Sequence, residues 1–327
     1  MTQPVTGSTP AAAGTLAALD DEPSTQTRAT VVPPGTKPPR EHKLTGMRWF
    51  REIGWRHVVG VVAIVWAVFP VLYIVSAALN PLGTVVSTTI IPRQFSLENF
   101  TELFTTQSIQ FPRWALNTLV VCVSVTVVQI FCSALAAYAF SRFRFKGRRM
   151  GLLSLLLVQM FPQILAAVAL YFLFTEIGEA VPALGLNTLA GYILVLLGGS
   201  LGQVWLIKGF FDSVPSSLDE AAKIDGASHW QTYFRIVLPL VRPILAVSGL
   251  LVFVATIAEF LLASIFLTAG SKKTLAVGLY GLIDADRSNN LGLFAAGALL
   301  TAVPVVVLFM FLQRYIVGGI TAGGVKG

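Results

Sequence analysis

The chain has 327 residues, of which 55% are hydrophobic and only 12% charged. A globular protein of average composition carries about 25% charged residues, so this chain lacks the polar material to coat a water-facing surface. It reads as a membrane protein, not as a soluble enzyme, a disordered chain or a collagen-like fibre. Its formal charge of +7 sits in short segments between apolar stretches, where basic residues orient membrane spans, so it implies a lipid bilayer and no nucleic acid.

Residues 1–44 are rich in Thr, Ala and Pro, with the pairs Pro33-Pro34 and Pro38-Pro39. They show no apolar periodicity and no signal-peptide core, and are expected to form a disordered cytoplasmic tail. Residues 45–56 mix Trp49, Phe50, Ile53 and Trp55 with Arg48, Arg51 and Arg56. This is the profile of an interfacial lead-in, aromatics at headgroup depth and arginines on the phosphates. The remaining unit, 57–327, holds six apolar runs at about 58–79, 115–140, 150–174, 184–207, 244–267 and 291–313, with Glu259 their one charge. A span needs about 20 apolar residues, and only helices satisfy the backbone of runs this long in lipid. The expectation is an all-α membrane protein with six transmembrane helices, in which Pro70, Pro162 and Pro304 are kinks and not helix ends.

Eighteen of the 23 Lys and Arg fall in the N-terminal segment, the second and fourth connections and the tail 314–327. The positive-inside rule places those segments, and both termini, in the cytoplasm. The fourth connection, 208–243, does not look like a loop. Ser217-x-x-Glu220 fits a capping box, so a helix is expected over 218–224, stopped by Asp225-Gly226. A second helix is expected from about Ser228 to Leu238, ending before Pro239.

This hairpin carries Glu220, Ala221, Ala222, Gly226, Ile236, Leu238 and Pro239 without a gap in the pattern E-A-A-x3-G-x9-I-x-L-P. It resembles the EAA motif of permease subunits of binding-protein-dependent ABC importers. The stretches at 91–104 (IPRQFSLENFTELF), 137–149 (AYAFSRFRFKGRR), 259–264 (EFLLAS) and 274–278 (TLAVG) are similar to the carbohydrate-uptake branch of that family. So is the tail 313–327 (QRYIVGGITAGGVKG), which is most like the smaller permease subunit of maltose/maltodextrin importers. The resemblance covers about 58–327 and not the N-terminal tail.

The resemblance implies a type I ABC importer permease fold in the plasma membrane of a prokaryote. It implies a second, larger permease subunit, an ATP-binding subunit dimer and an extracytoplasmic sugar-binding protein as partners, with maltose, maltodextrin or a related α-glucoside as cargo. By resemblance the hairpin is a coupling element docked on the ATPase through the seven motif residues. The tail residues Thr321, Ala322, Gly323, Gly324, Val325, Lys326 and Gly327 then reach the ATPase dimer. The Trp-Asn that precedes the equivalent of Glu259-Phe260 in many relatives is Ile257-Ala258 here, so no role is carried over for it.

The chain has no G-x4-G-K-[S/T] phosphate loop, so ATP hydrolysis has to come from a partner. No cofactor, no metal and no catalytic constellation is expected. The three histidines, His42, His57 and His229, are scattered, and Cys122 and Cys132 stand about 15 Å apart on one helical run, too far for a disulfide. Glu259 admits two readings. One is a hydrogen-bonded group at a subunit contact or in the pathway; the other is the coupling carboxylate of an ion-driven secondary transporter. Tyr138, Tyr171, Phe172, Tyr192 and Trp205 are either packing residues or stacking platforms for sugar rings.

Overall fold

The computed structural model describes residues 46–81 and 95–323. The expected tail 1–44, the start of the 91–104 stretch and Gly324 to Gly327 lie outside the described residues. Every regular element among the described residues is helical. The chain divides into two compact units, Met1–Gly60 and Val61–Gly327.

In the first unit the lead-in is helical, with a short α-turn Met47–Trp49 and a π-turn Phe50–Gly54. The Trp49 ring stacks on His57 at 5.8 Å, and a Cβ at Gly54 would meet the Phe50 ring at 2.8 Å. The helix that follows, α1 (Trp55–Ala78), keeps Pro70 inside it. Its apolar residues from Val61 to Leu72 are exposed, and only Ser76, Ala77 and Ala78 are buried.

The second unit is built around one long helix. After α2 (Glu98–Thr105), α3 runs unbroken over Phe111–Arg142, about 48 Å at 1.5 Å per residue. It opens with Pro112 in its first turn, where a missing N–H costs nothing.

The third, fourth and fifth apolar runs are not single helices. The third is α4 (Arg148–Gln159) and α5 (Gln163–Ala180). Pro162 removes a backbone donor and pushes Phe161 out of the helical region, so it ends a helix instead of kinking one. The fourth is α6 (Leu189–Leu197) and α7 (Val204–Ser213), parted at Gly198, Gly199 and Gly202, residues that cost a helix about 1 kcal/mol each. The start of that run, Pro182–Leu184, is only a 3-10 turn.

Beyond α8 (Ser217–Ile224) lies α9, a helical arm over His229–Leu240 that contains a π segment. It bends by 77° into α10 (Arg242–Ile257). The fifth run then breaks at Ala258 to Phe260 before α11 (Leu261–Phe266). After α12 (Leu275–Ala285), α13 spans Arg287–Gly323 with Pro304 inside it. Among the described residues three helices, in α1, α3 and α13, are thus long and apolar enough to cross a membrane alone, and the bent α9–α10 pair passes the same test only when counted as one element.

Among the described residues four buried clusters attach other elements to α3, the smallest of them Cys122 with Phe253 and Ile257. At its start Phe111 and Trp114 pack with Leu275, Leu279 and Leu293. In the middle Val121 and Val125 pack with Val252, Leu262 and Phe266. At its end Ala137 and Tyr138 pack with Ile207, Phe211, Tyr233 and Val237.

Candidate coupling site

The hairpin is assembled at the C-terminal end of α3. Its tip is a Schellman-type stop. The N–H of Gly226 donates to the carbonyl of Lys223 at 3.0 Å, and that of Ala227 to Ala222 at 2.9 Å, which uses the last carbonyls of α8. Gly226 has φ +78°, with open space where a Cβ would lie. The demand for glycine here is therefore conformational and not steric.

The capping box lies elsewhere than expected. Ser217 is the first residue of α8 and makes no capping bond; the residue before it, Ser216, is already helical at φ −65°, ψ −20°. A cap needs extended backbone, which Ser228 supplies at φ −68°, ψ 161°. Ser228 and Gln231 exchange the two reciprocal bonds, at 3.3 and 2.8 Å. The arm also runs past Leu238, since Pro239 sits in the first turn of a short helix, Leu238–Leu240, where its missing donor is harmless.

The seven motif residues divide by face. Ala222 is buried, and Ile236 and Leu238 pack on the cluster of Tyr138, Phe211, Tyr233 and Val237. These three, with the partly buried Pro239, hold the hairpin to its own chain. Glu220, Ala221 and Gly226 are exposed. They share the free surface with Leu218, Ile224 (87% exposed) and Trp230 (63% exposed). The Trp230 ring lies nearly parallel to that of Phe234 at 5.7 Å.

What ties α8 to α3 is a residue the motif does not include. Asp219 is buried on the inner face of α8 and faces Arg142, with Nε 3.0 Å from Oδ2. Tyr138 donates its hydroxyl to the other carboxylate oxygen at 3.3 Å. Nε and Oδ2 form no aligned hydrogen bond, so the contact is an ion pair held by charge. Arg142 also donates through Nη2 to the carbonyl of Val214 at 2.8 Å.

One residue earlier in α3, Ser141 donates to Asp212 at 2.7 Å, and Lys208 donates to the same carboxylate at 2.5 Å. Partial burial opposes the Asp212 charge, but the bonds from Lys208 and Ser141 and the nearby Arg148 outweigh it and hold its carboxyl below the usual range. A lowered value means the contact stands at neutral pH and is lost as pH falls through that value. Burial, with Tyr138 beside it, pushes the Tyr233 phenol up to about 12, so it stays neutral in the aromatic cluster at physiological pH.

The same helix serves two higher levels. Gln129 donates to the carbonyl of Leu196 at 2.7 Å, and Ser133, one turn on, donates to Ser200. Leu196 is in the last turn of α6 and Ser200 in the glycine break that follows it. Near the start of α3, Asn117 donates to Ser271 and Lys273, both at 3.0 Å, and Trp114 to Gly270 at 2.9 Å. Thr118 accepts from the N–H of Leu275 at 2.8 Å. Gly278 lies so close to the Trp114 ring that a Cβ would meet it at 2.2 Å. One rigid helix thereby holds the far-face segment 270–278, the mid-chain break and the hairpin.

Glu259 holds the break of the fifth run in shape. Its carboxylate accepts from the N–H groups of Leu262 and Ala263 at 2.8 and 3.0 Å and from the Tyr192 hydroxyl at 2.5 Å. Tyr138 and Tyr192 are buried packing residues, whereas Tyr171 and Phe172 are exposed. Among the described residues no group of three His, Cys, Asp or Glu side chains could hold a metal ion. Thr321, Ala322 and Gly323 end the backbone of α13.

Comparison with known proteins decides the family. Residues 129–321 match the model of the binding-protein-dependent transport system inner membrane component. The chain belongs to this family. The permease is 40% identical over 262 residues to the galactooligosaccharides transport system permease protein GanQ of Bacillus subtilis, covering 80% of this chain and 90% of that one. It is 39% identical over 282 residues to the maltose/maltodextrin transport system permease protein MalG of Escherichia coli, covering 83% and 95%. A bacterial ABC transporter involved in the import of alginate superposes with a TM-score of 0.67 at 21% identity, covering 84% of this permease and 99% of that chain. The fold is that of a type I ABC importer permease, and its relatives are transport permeases, not enzymes.

Proposed function

We propose that this permease is one of two pore-forming subunits of an ATP-driven sugar importer in a prokaryotic plasma membrane, with both termini cytoplasmic. A second, larger permease, a dimer of ATP-binding subunits and an extracytoplasmic sugar-binding protein complete the complex. The hairpin 208–243 docks on the ATPase, with Glu220, Ala221 and Gly226 at the contact and Ala222, Ile236, Leu238 and Pro239 as its scaffold. The observation that carries this reading is the anchoring of the exposed hairpin to α3 through Asp219 and Arg142. A push on the tip is delivered to a helix that reaches the opposite end of the bundle.

The cargo is an oligosaccharide. Maltose or maltodextrin is favoured by the several MalG relatives, and the GanQ relative makes a galactooligosaccharide the second candidate. Ligand binding by the partner binding protein, titrated with both sugar classes, separates them. An ion-driven mechanism through Glu259 is disfavoured because its carboxylate is already engaged by three donors. Uptake by proteoliposomes that hold ATP and an uncoupler should persist.

Gly226→Pro and Glu220→Lys are expected to abolish uptake and co-purification of the ATPase while the protein still inserts in the membrane. Wild-type uptake by either sinks the coupling role. The tail Thr321, Ala322, Gly323, Gly324, Val325, Lys326 and Gly327 reaches the ATPase dimer in this reading. Its deletion should change the sugar carried per ATP hydrolysed, and an unchanged ratio rejects the contact.

A further inference from the structure

We propose that Phe260 and Tyr280 form a sugar-stacking platform on this subunit, at the outer end of the translocation pathway. The inference rests on the sugar-importer reading above. The two rings lie 4.8 Å apart, tilted by 58°. Phe260 comes from the break of the fifth apolar run and Tyr280 from α12, and they are 36% and 48% exposed.

The break separates Phe260 from the exposed aromatics carried on unbroken helices. Trp66 and Phe69 sit on the unbroken α1, whose backbone needs no partner in lipid. Residues 258–260 are not helical, and Ala258 and Phe260 are exposed. Non-helical backbone at membrane depth is tolerated only when buried in protein or lining a water-filled cavity. Glu259, partly exposed beside them, obeys the same rule for ionisable groups. Lipid is therefore excluded as the neighbour, which leaves the aqueous pathway or the second permease.

The chemistry of the pair favours the pathway. Helix contacts inside membranes are built on small residues that let backbones approach, whereas here two bulky rings stand exposed, one at the break and one on α12. A sugar ring has an apolar face of C–H groups and a rim of hydroxyls. A phenyl and a phenol ring fixed against each other offer it apolar area and a polar handle at little entropic cost, since each side chain has only two rotatable bonds. Such stacking is tolerant of linkage and chain length and is weak enough to release the cargo, as a transport site requires.

The test uses the whole importer in liposomes. Phe260→Leu and Tyr280→Leu keep the bulk and remove the ring. The double variant is expected to lower uptake at subsaturating sugar by about tenfold. ATP hydrolysis stimulated by loaded binding protein should stay near wild type, and Phe260→Tyr and Tyr280→Phe should restore most uptake. A Tyr280→Cys variant with Cys122 and Cys132 replaced by alanine should react with a membrane-impermeant thiol reagent, and transported sugar should slow that reaction.

Uptake unchanged in the double variant overturns the platform. So does a parallel loss of stimulated hydrolysis and of the second permease on co-purification, which would make the pair a subunit contact. Absence of labelling overturns it as well. A wild-type complex that carries no saccharide at all overturns the importer reading itself, a result distinct from leucine variants that match an active wild type.

Discussion

Asp219 and Arg142 show how one pair of side chains decides whether a surface helix is a loose flap or a lever. Both are close to buried, at 13% and 12% side-chain exposure, so neither charge can recover its hydration if the other leaves. Arg142→Met strands the Asp219 carboxylate and is expected to destabilise the α8–α3 junction by about 3 kcal/mol. Hydrogen exchange of the amides across α8 should accelerate accordingly. Arg142→Met combined with Asp219→Leu removes both ions and should return much of that protection. If the double variant exchanges as fast as the single one, the pair is not what holds the hairpin. Asp219 was hidden within the SLDEAA run because nothing in a residue list says which face of a helix looks inward. Arg142 was read there only as an orienting charge.

At the scale of elements, polar residues on α3 repair the broken helices around it. Ser133 donates to the Ser200 carbonyl inside the glycine break, and Gln129 adds a second donor to the Leu196 carbonyl, which already accepts from the Gly199 N–H at 3.1 Å. Gln129→Leu together with Ser133→Ala removes both side-chain donors that fasten α3 to this break. The variant is expected to lose about 2 kcal/mol and several degrees of thermal stability in detergent, a shift that a melting curve followed by helicity would show. An unchanged midpoint would mean that the break satisfies its own carbonyls.

The runs themselves were legible in composition, since an apolar stretch of 22 to 26 residues has few alternatives. Where they break was not. Pro70 and Pro304 stay inside helices while Pro162 ends one, and the residue type alone does not tell the two cases apart. The Gly226 stop was readable because a positive φ narrows the choice of residue. The capping box was misplaced by the same logic: Ser217-x-x-Glu220 has the right letters, but Pro215 and Ser216 had already begun the helix.

For the molecule as a whole, the long helices and the hairpin agree with the family to which the chain belongs. The division of labour along α3 adds a mechanical outline to it. The far-face segment held by Asn117 and Trp114, the break held by Gln129 and the hairpin held by Arg142 are all fastened to one element. They move together or distort that element. This is why a hairpin variant such as Gly226→Pro is expected to silence transport at a distance without altering the pathway residues.

The buried position of the Asp219–Arg142 pair has a thermodynamic consequence for assembly. Because that ion pair is spent inside the chain, it adds nothing to the surface offered by the hairpin, where Leu218, Ile224 and Trp230 stand exposed beside Glu220, Lys223 and Asp225. Attraction between exposed charges fades beyond about 10 Å at 0.1 M salt, whereas burial of apolar area weakens on cooling instead. A contact with the proposed ATPase partner that is carried by the three apolar groups survives molar salt and loosens in the cold, whereas one carried by the three charges is lost in salt, and gel filtration at both extremes separates the two.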